Sequence, residues 1–292
     1  AAVCEALAEC SALKSINLSD IGMGPQGAMM TSSMLRSEKV IAAISCFDIS
    51  GNFIFGSKDK ASYDETQVHD VDKDQTGFAA ICDALSGCLA LKSINFSNIG
   101  MGPKGAMLTS SMLRSERVNA AISLFDISGN FIFGGKDSAP RQSRNEFVHD
   151  VDKDQTGFAA ICDALSGCSK LNSINFSDIG MGPKGAVMMS SMLRSERLTA
   201  VISSFDISGN FIFGSKPDGR GNIIHDVDRD QTGLAAVCEA LAECSALKSI
   251  NLSDIGMGSK GAVMMSSMLR SRRLNAAISL FDISGNFIFG SK

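Results

Sequence analysis

The sequence predicts an α/β repeat fold, a solenoid of eight parallel strands with helices on its convex side. Three observations carry this expectation. The segment LKSINLSDIGMGPQGA, beginning at Leu13, returns as LKSINFSNIGMGPKGA at Leu91, LNSINFSDIGMGPKGA at Leu171 and LKSINLSDIGMGSKGA at Leu247. The decapeptide FDISGNFIFG stands at Phe47, Phe125, Phe205 and Phe281. An alternating apolar segment is followed by glycines and then by a stretch rich in Met and Leu, the order strand, turn, helix. The expected organisation is one domain of four long repeats, 1–77, 78–157, 158–233 and 234–292.

Each long repeat divides into two related halves. The first carries Leu13, Ile16, Leu18, Ile21 and Met23; the second carries Ile44, Phe47, Ile49, Asn52 and Ile54. Side chains alternate along a strand, so Ile16 and Leu18 share one face and Asn17 takes the other. Gly24 and Gly27 break the strand. Pro25, Pro103 and Pro183 suit the first helical turn, where a missing N–H costs little. Ala28 to Leu35 then reads as the covering helix. One strand and one helix cannot bury their own apolar face, so neighbouring repeats must stack. Strands are expected to begin near Leu13, Ile44, Leu91, Ile122, Leu171, Ile202, Leu247 and Ile278.

The pattern L-x-x-L-x-L-x-x-N-x-L, with G-x-x-G-A following at Gly24 to Ala28, resembles the leucine-rich-repeat family and its ribonuclease-inhibitor-like branch over nearly the whole chain. The resemblance implies that Asn52, Asn130, Asn210 and Asn286 tie down backbone groups where strand turns into loop. It also implies that the strand face opposite the helices is the recognition surface. On that face the outward rungs are Asn17, Asp48, Asn95, Asp126, Asn175, Asp206, Asn251 and Asp282. The rungs are small and polar. There is no Trp, and the single Tyr63 lies outside them. Hot spots for globular partners favour Trp, Tyr and Arg, so this ladder suits an extended or repetitive partner, or else simple exposure to solvent. The Asn-x-Ser sequons at Asn17, Asn95, Asn175 and Asn251 fall within strands, a poor context for glycan transfer.

The sequence departs from that family after Asn52, Asn130 and Asn210, where inserts precede the next helix. Their middles vary: Asp59 to Gln67, Asp137 to Phe147 and Pro217 to Ile223. Their flanks barely change. A constant stem with a variable tip predicts a hairpin finger, with Phe53, Ile54 and Phe55 facing Val68, His69, Asp70 and Val71.

The acidic run closing each insert is the best chemical candidate. Asp72, Asp74, Thr76 and Asp83 recur as Asp152, Asp154, Thr156 and Asp163, and as Asp228, Asp230, Thr232 and Glu239. The spacing resembles an EF-hand calcium loop, in which alternating oxygens wrap a hard cation. It departs in having Thr at the fifth position and no entering helix. The competing expectation is that Thr76 caps the following helix while the acids favour its positive end, and that no cofactor binds. His69, His149 and His225 occupy one repeat position, so they cannot converge on one metal and are expected to pack at the finger base.

Composition excludes several classes. The net charge of −4 argues against a nucleic-acid surface. No apolar run has transmembrane length and no leader opens the chain. Eight of the nine cysteines form pairs six residues apart, as in Cys4/Cys10 and Cys82/Cys88. On a helix that is about 9 Å of rise, too far for a bridge. Nine free thiols are expected, with at least one of each pair buried, which fits a reducing, cytoplasmic compartment. Near-identical repeats place the same groups at every rung, whereas catalysis needs different groups at one point; no enzyme is expected. The chain starts within a helix and stops where another finger would start, so both ends lack the polar cap of a finished solenoid. The expected function is structural, a repeat protein stacking head to tail into a filament or longer array. The alternative is a protein-binding scaffold using its concave face or fingers.

Overall fold

A computed structural model describes residues 2–58, 68–137, 147–217 and 223–290. Its centre is one parallel sheet of eight three-residue strands, two from each long repeat. They are Ser15–Asn17, Cys46–Asp48, Ser93–Asn95, Leu124–Asp126, Ser173–Asn175, Ser204–Asp206, Ser249–Asn251 and Leu280–Asp282, paired in that order. The register is constant: Ile16 lies beside Phe47, Phe47 beside Ile94, and so on to Ile250 beside Phe281. The sheet does not close on itself, so its first and last strands are edges.

Alternation places the strand centres, Ile94, Phe125, Ile174, Phe205 and Ile250 among them, in a continuous apolar core. The residues on either side of each centre remain at least partly exposed on the other face. Helices rich in Met, Leu and Ala fill the buried side. Pro25–Leu35, Pro103–Leu113 and Pro183–Leu193 each begin at proline after an extended glycine, and Ser259–Leu269 occupies the fourth position. The helix therefore starts three residues before the Ala28 expected from sequence. A second short helix, Glu38–Ala43 and its equivalents, follows and was not foreseen. The helices Thr76–Ser86, Thr156–Ser166 and Thr232–Leu241 complete each junction between long repeats. Among the described residues no helix is long and apolar enough to cross a membrane.

The finger stems are antiparallel ribbons, but not in the expected register. Ser57–Lys58 pairs with Val68–His69, Gly135–Asp137 with Phe147–His149 and Ser215–Pro217 with Ile223–His225. Phe53, Ile54 and Phe55 do not form the ribbon. Ile54 and Phe55 are buried, and Phe55 packs on Phe78 with ring centroids 5.0 Å apart. Burial of both residues overrides the constant-stem pattern that suggested a strand. The finger tips lie outside the described residues.

All nine cysteines are unbridged. Cys82, Cys88, Cys162, Cys168, Cys238 and Cys244 are buried, and burial pushes the Cys88 and Cys168 thiols up to about 12. The expectation that each pair has a buried member fails for Cys4 and Cys10, which are half-buried and exposed. Cys4 lies in the first helix, Ala2–Ala8, which buries none of its residues, and Cys10 lies just beyond its end.

Candidate functional site

Two polar constellations repeat along the fold: the ladder on the open sheet face, and the acidic base of each finger. In the ladder each rung ends its own strand. The Oδ1 of Asn17, Asp48, Asn95, Asp126, Asn175, Asp206, Asn251 and Asp282 accepts the amide of the serine two residues on, at 2.9–3.1 Å. This local turn competes with the sheet and stops the strand after three residues. The second polar atom bridges long repeats. Asn95 donates to Asp48 at 3.2 Å, Asn175 to Asp126 at 3.0 Å and Asn251 to Asp206 at 2.9 Å. The Ser284 amide and hydroxyl hold the Asp282 carboxyl below its ordinary range. The eight rungs do form one line, and much of their hydrogen-bonding capacity is spent within it.

Behind the ladder, Asn52, Asn130 and Asn210 are fully buried. Asn130 Oδ1 accepts the amides of Ile99 and Met101 at 3.2 and 2.9 Å. Its Nδ2 donates to the carbonyls of Phe96, Ile127 and Ser128 at 2.7, 2.9 and 3.3 Å. One side chain thus serves the turns of two consecutive strands, the role expected of it.

The acidic residues separate into different jobs. Asp152 Oδ1 accepts the amides of Gly182 and Gly185 at 2.9 and 3.0 Å, and Oδ2 accepts Lys184 N–H at 2.7 Å. It therefore caps the helix Pro183–Leu193 of the unit that follows. Asp72 and Asp228 do the same for Pro103–Leu113 and Ser259–Leu269. Burial raises the Asp72 carboxyl while the three amides pull it down. Asp74, Asp154 and Asp230 each accept the amide of Thr76, Thr156 or Thr232 at 3.0 Å and its hydroxyl at 2.6 Å. Those bonds lower the Asp74 and Asp154 carboxyls. The cap is thus the aspartate two residues earlier; Thr76 is the first helical residue and donates instead of accepting. Asp83, Asp163 and Glu239 point outward and pair with Arg36, Arg114 and Arg194 at 2.9, 3.0 and 2.9 Å. The four members of each suggested calcium set are not brought together. Among the described residues no group of three or more His, Cys, Asp or Glu side chains could hold a metal ion.

The histidines sit at the finger base. His149 Nε2 lies 3.0 Å from Asp178 Oδ1 and its ring centroid 5.4 Å from that of Phe131. His69 packs on Phe53 and His225 on Phe211, both at 4.9 Å. Burial lowers the His225 pKa, with Asp254 pulling the other way.

Sequence reading missed the arginine–acid pairs and the long reach of Asp72. The invariant Arg in each SSMLRS segment was the available signal for the pairs. Asp72 left none, because its partners are backbone amides. We expect Asp152→Ala to cost about 1–2 kcal/mol through loss of the cap, read as a lower urea midpoint. Chelator should leave the parent midpoint unchanged; a fall on chelation would restore the calcium reading. A search against protein-family models finds no match to this chain, and a search of curated proteins finds none either.

Proposed function

We propose that this chain is a leucine-rich-repeat solenoid of the ribonuclease-inhibitor-like kind, without catalytic activity, whose units stack end to end into a structural array. One observation carries the reading. Every inner junction between long repeats joins the same two faces in one register, Phe47 beside Ile94, Phe125 beside Ile174 and Phe205 beside Ile250, and buries apolar side chains such as Phe55, Ile81 and Ile99. Apolar surface of this kind favours association at about 25 cal/mol per Å² before its costs. The two faces are complementary because every inner junction joins the same pair. The contact is heterologous, so it propagates instead of closing into a dimer.

Sedimentation velocity over a range of concentrations, with electron microscopy of the same material, tests this. The expected result is a concentration-dependent series of linear multimers. A monodisperse monomer at high concentration would refute it.

A second reading, a protein-binding scaffold, is favoured by a different feature. A groove of about 750 Å³ runs across the residues preceding five strands and is lined by Leu89, Lys92, Ser123, Lys170, Asn172 and Val201 among others. Mixed apolar and basic lining suits an extended peptide with acidic side chains. If the chain stays monomeric, titration with such peptides is the measurement to make.

A further inference from the structure

We infer that the rim formed by the residues preceding the strands binds an acidic, proline-rich peptide in the polyproline II conformation. The peptide carries a carboxylate at every third residue and lies along a row of lysines set one per long repeat. This rests on the scaffold reading and names its partner.

The row follows from the repeat. Lys14, Lys92 and Lys248 each immediately precede a strand, Ser15–Asn17, Ser93–Asn95 and Ser249–Asn251. Asn172 interrupts the row before Ser173–Asn175, and there Lys170, two residues earlier, lines the same groove as Lys92. Between these positions stand Ser45, Ser123, Ser203 and Ser279. Their hydroxyls donate to the carbonyls of Lys14, Lys92, Asn172 and Lys248 at 3.0–3.2 Å. These bonds hold the rim backbone in place without engaging a lysine ammonium.

The charge on this rim is uncommitted. Elsewhere basic side chains meet acids: Arg36, Arg114 and Arg194 pair with Asp83, Asp163 and Glu239, and Lys73 and Lys153 with Asp70 and Asp150. Lys14, Lys92, Lys170 and Lys248 are exposed and have no acidic partner among the described residues. No acidic side chain lines the groove that holds Lys92 and Lys170. Its apolar lining includes Leu89, which is 57% exposed, with Ala121, Val201 and Ala246. Charge of one sign beside small apolar surface is complementary to a partner that carries carboxylates and apolar rings.

Spacing selects the conformation of that partner. The strands that follow these lysines are alternate members of the sheet. Neighbouring strands lie about 4.8 Å apart, so the row advances about 9.6 Å per long repeat. Polyproline II has three residues per turn and rises about 3.1 Å per residue, so a side chain returns to the same face after about 9.3 Å. A β-strand turns its third residue to the opposite face. An α-helix returns to the same face after seven residues and about 10.5 Å, and so drifts about 3 Å from the row over three steps. With glutamate at one position of each polyproline II turn, two proline rings per turn remain for the apolar lining. Such a peptide is extended before it binds, so little ordering entropy is lost.

Fluorescence anisotropy of the whole chain with labelled peptides tests this. A peptide of repeated Glu-Pro-Pro should bind at least about ten-fold tighter than a block peptide of the same composition with its glutamates gathered at one end. Affinity should fall as salt is raised. Lys92→Glu with Lys170→Glu should remove the preference for the repeated peptide. Lys184→Glu, the same charge change at the start of the helix Pro183–Leu193, should leave it. All three lysines are exposed, so folding is not at stake. Equal affinity for the two peptides would overturn the threefold register and leave acidic-peptide binding intact. A preference that survives both groove substitutions would overturn the site. Failure of both peptides to bind removes the scaffold reading of this groove as well. If single-stranded DNA of equal charge competes as well as the repeated peptide, the row serves polyanions in general and the peptide assignment fails.

Discussion

Replacing Asn130 with alanine is expected to cost about 4 kcal/mol of stability, and the equally buried Asn210, with the same five bonds, should respond alike. The side chain is fully buried and makes five hydrogen bonds to backbone groups of two successive strand ends. Alanine leaves the Ile99 and Met101 amides without an acceptor in a region water does not reach. Each orphaned donor costs about 1–3 kcal/mol, and the three carbonyls lose a donor as well. Asn286 makes the same pattern of bonds to Ile255, Met257, Leu252, Ile283 and Ser284, but only half-buried. Water can replace the lost partner there, so Asn286→Ala should cost about 1 kcal/mol. Urea unfolding of dilute protein measures both. Equal costs at the two sites would show that burial of the turn, not the amide count, had been misjudged.

Asn130→Asp sharpens the test. It keeps the acceptor for Ile99 and Met101 but turns a second oxygen toward three carbonyls. Burial and those carbonyls must raise its folded pKa above the unfolded value near 4. The folded state then binds the extra proton more readily than the unfolded one. Relative to the parent protein, the variant should therefore recover stability as pH falls through the folded pKa, and be weakest at neutral pH.

The repeat architecture was legible in the sequence because period and alternation are local. The SIN and FD segments alternate, the Gly-Pro steps mark helix starts, and the buried asparagine has a fixed offset from its strand. The finger base was not legible for a physical reason. Asp72 reads as part of an acidic run, and an acidic run suggests either a cation or the nearest helix. Its partners are the Gly102, Lys104 and Gly105 amides some thirty residues later, and a backbone donor has no side chain to announce it. Asp83 was drawn into the same set by spacing, yet helical phase turns it outward toward Arg36. Phe53, Ile54 and Phe55 looked like the first arm of a ribbon, but two consecutive buried residues cannot belong to a strand with one exposed face. The sequence also gives no sign that Cys4 and Cys10 differ from the other pairs, because their exposure depends on which unit is stacked beside them.

The stacking distance itself is set by one glycine per junction, and changing it is expected to have the second largest effect. Gly157 is the second residue of the helix Thr156–Ser166. A Cβ added there would stand 2.4 Å from the Pro103 carbonyl oxygen and 2.6 Å from Ala106 Cβ. Gly77 meets Pro25 and Ala28 in the same way, at 2.4 and 2.7 Å. The obstructing atoms are backbone and a methyl carbon, so no side-chain rotation relieves the clash. Glycine to alanine within a helix ordinarily gains up to about 1 kcal/mol. Here the sign should reverse, with Gly157→Ala costing about 2–3 kcal/mol as the two helices are pushed apart. Gly233 sits in a looser copy of the junction, where the nearest atoms are Pro183 Cα at 2.9 Å and Ala186 Cβ at 3.0 Å. Gly233→Ala should therefore cost less, about 1 kcal/mol. Gly167, at the other end of the helix, has ordinary αR dihedrals and faces the Asn119 side-chain amide at 3.2 Å and the Ala164 carbonyl oxygen at 3.6 Å, distances well above those at Gly157. Gly167→Ala should be neutral or slightly stabilising. The ranking Gly157, Gly233, Gly167 in thermal or urea midpoints tests the close approach. A stabilising Gly157→Ala would mean that the helices of successive repeats do not meet at backbone contact, and that the spacing of the stack is set elsewhere.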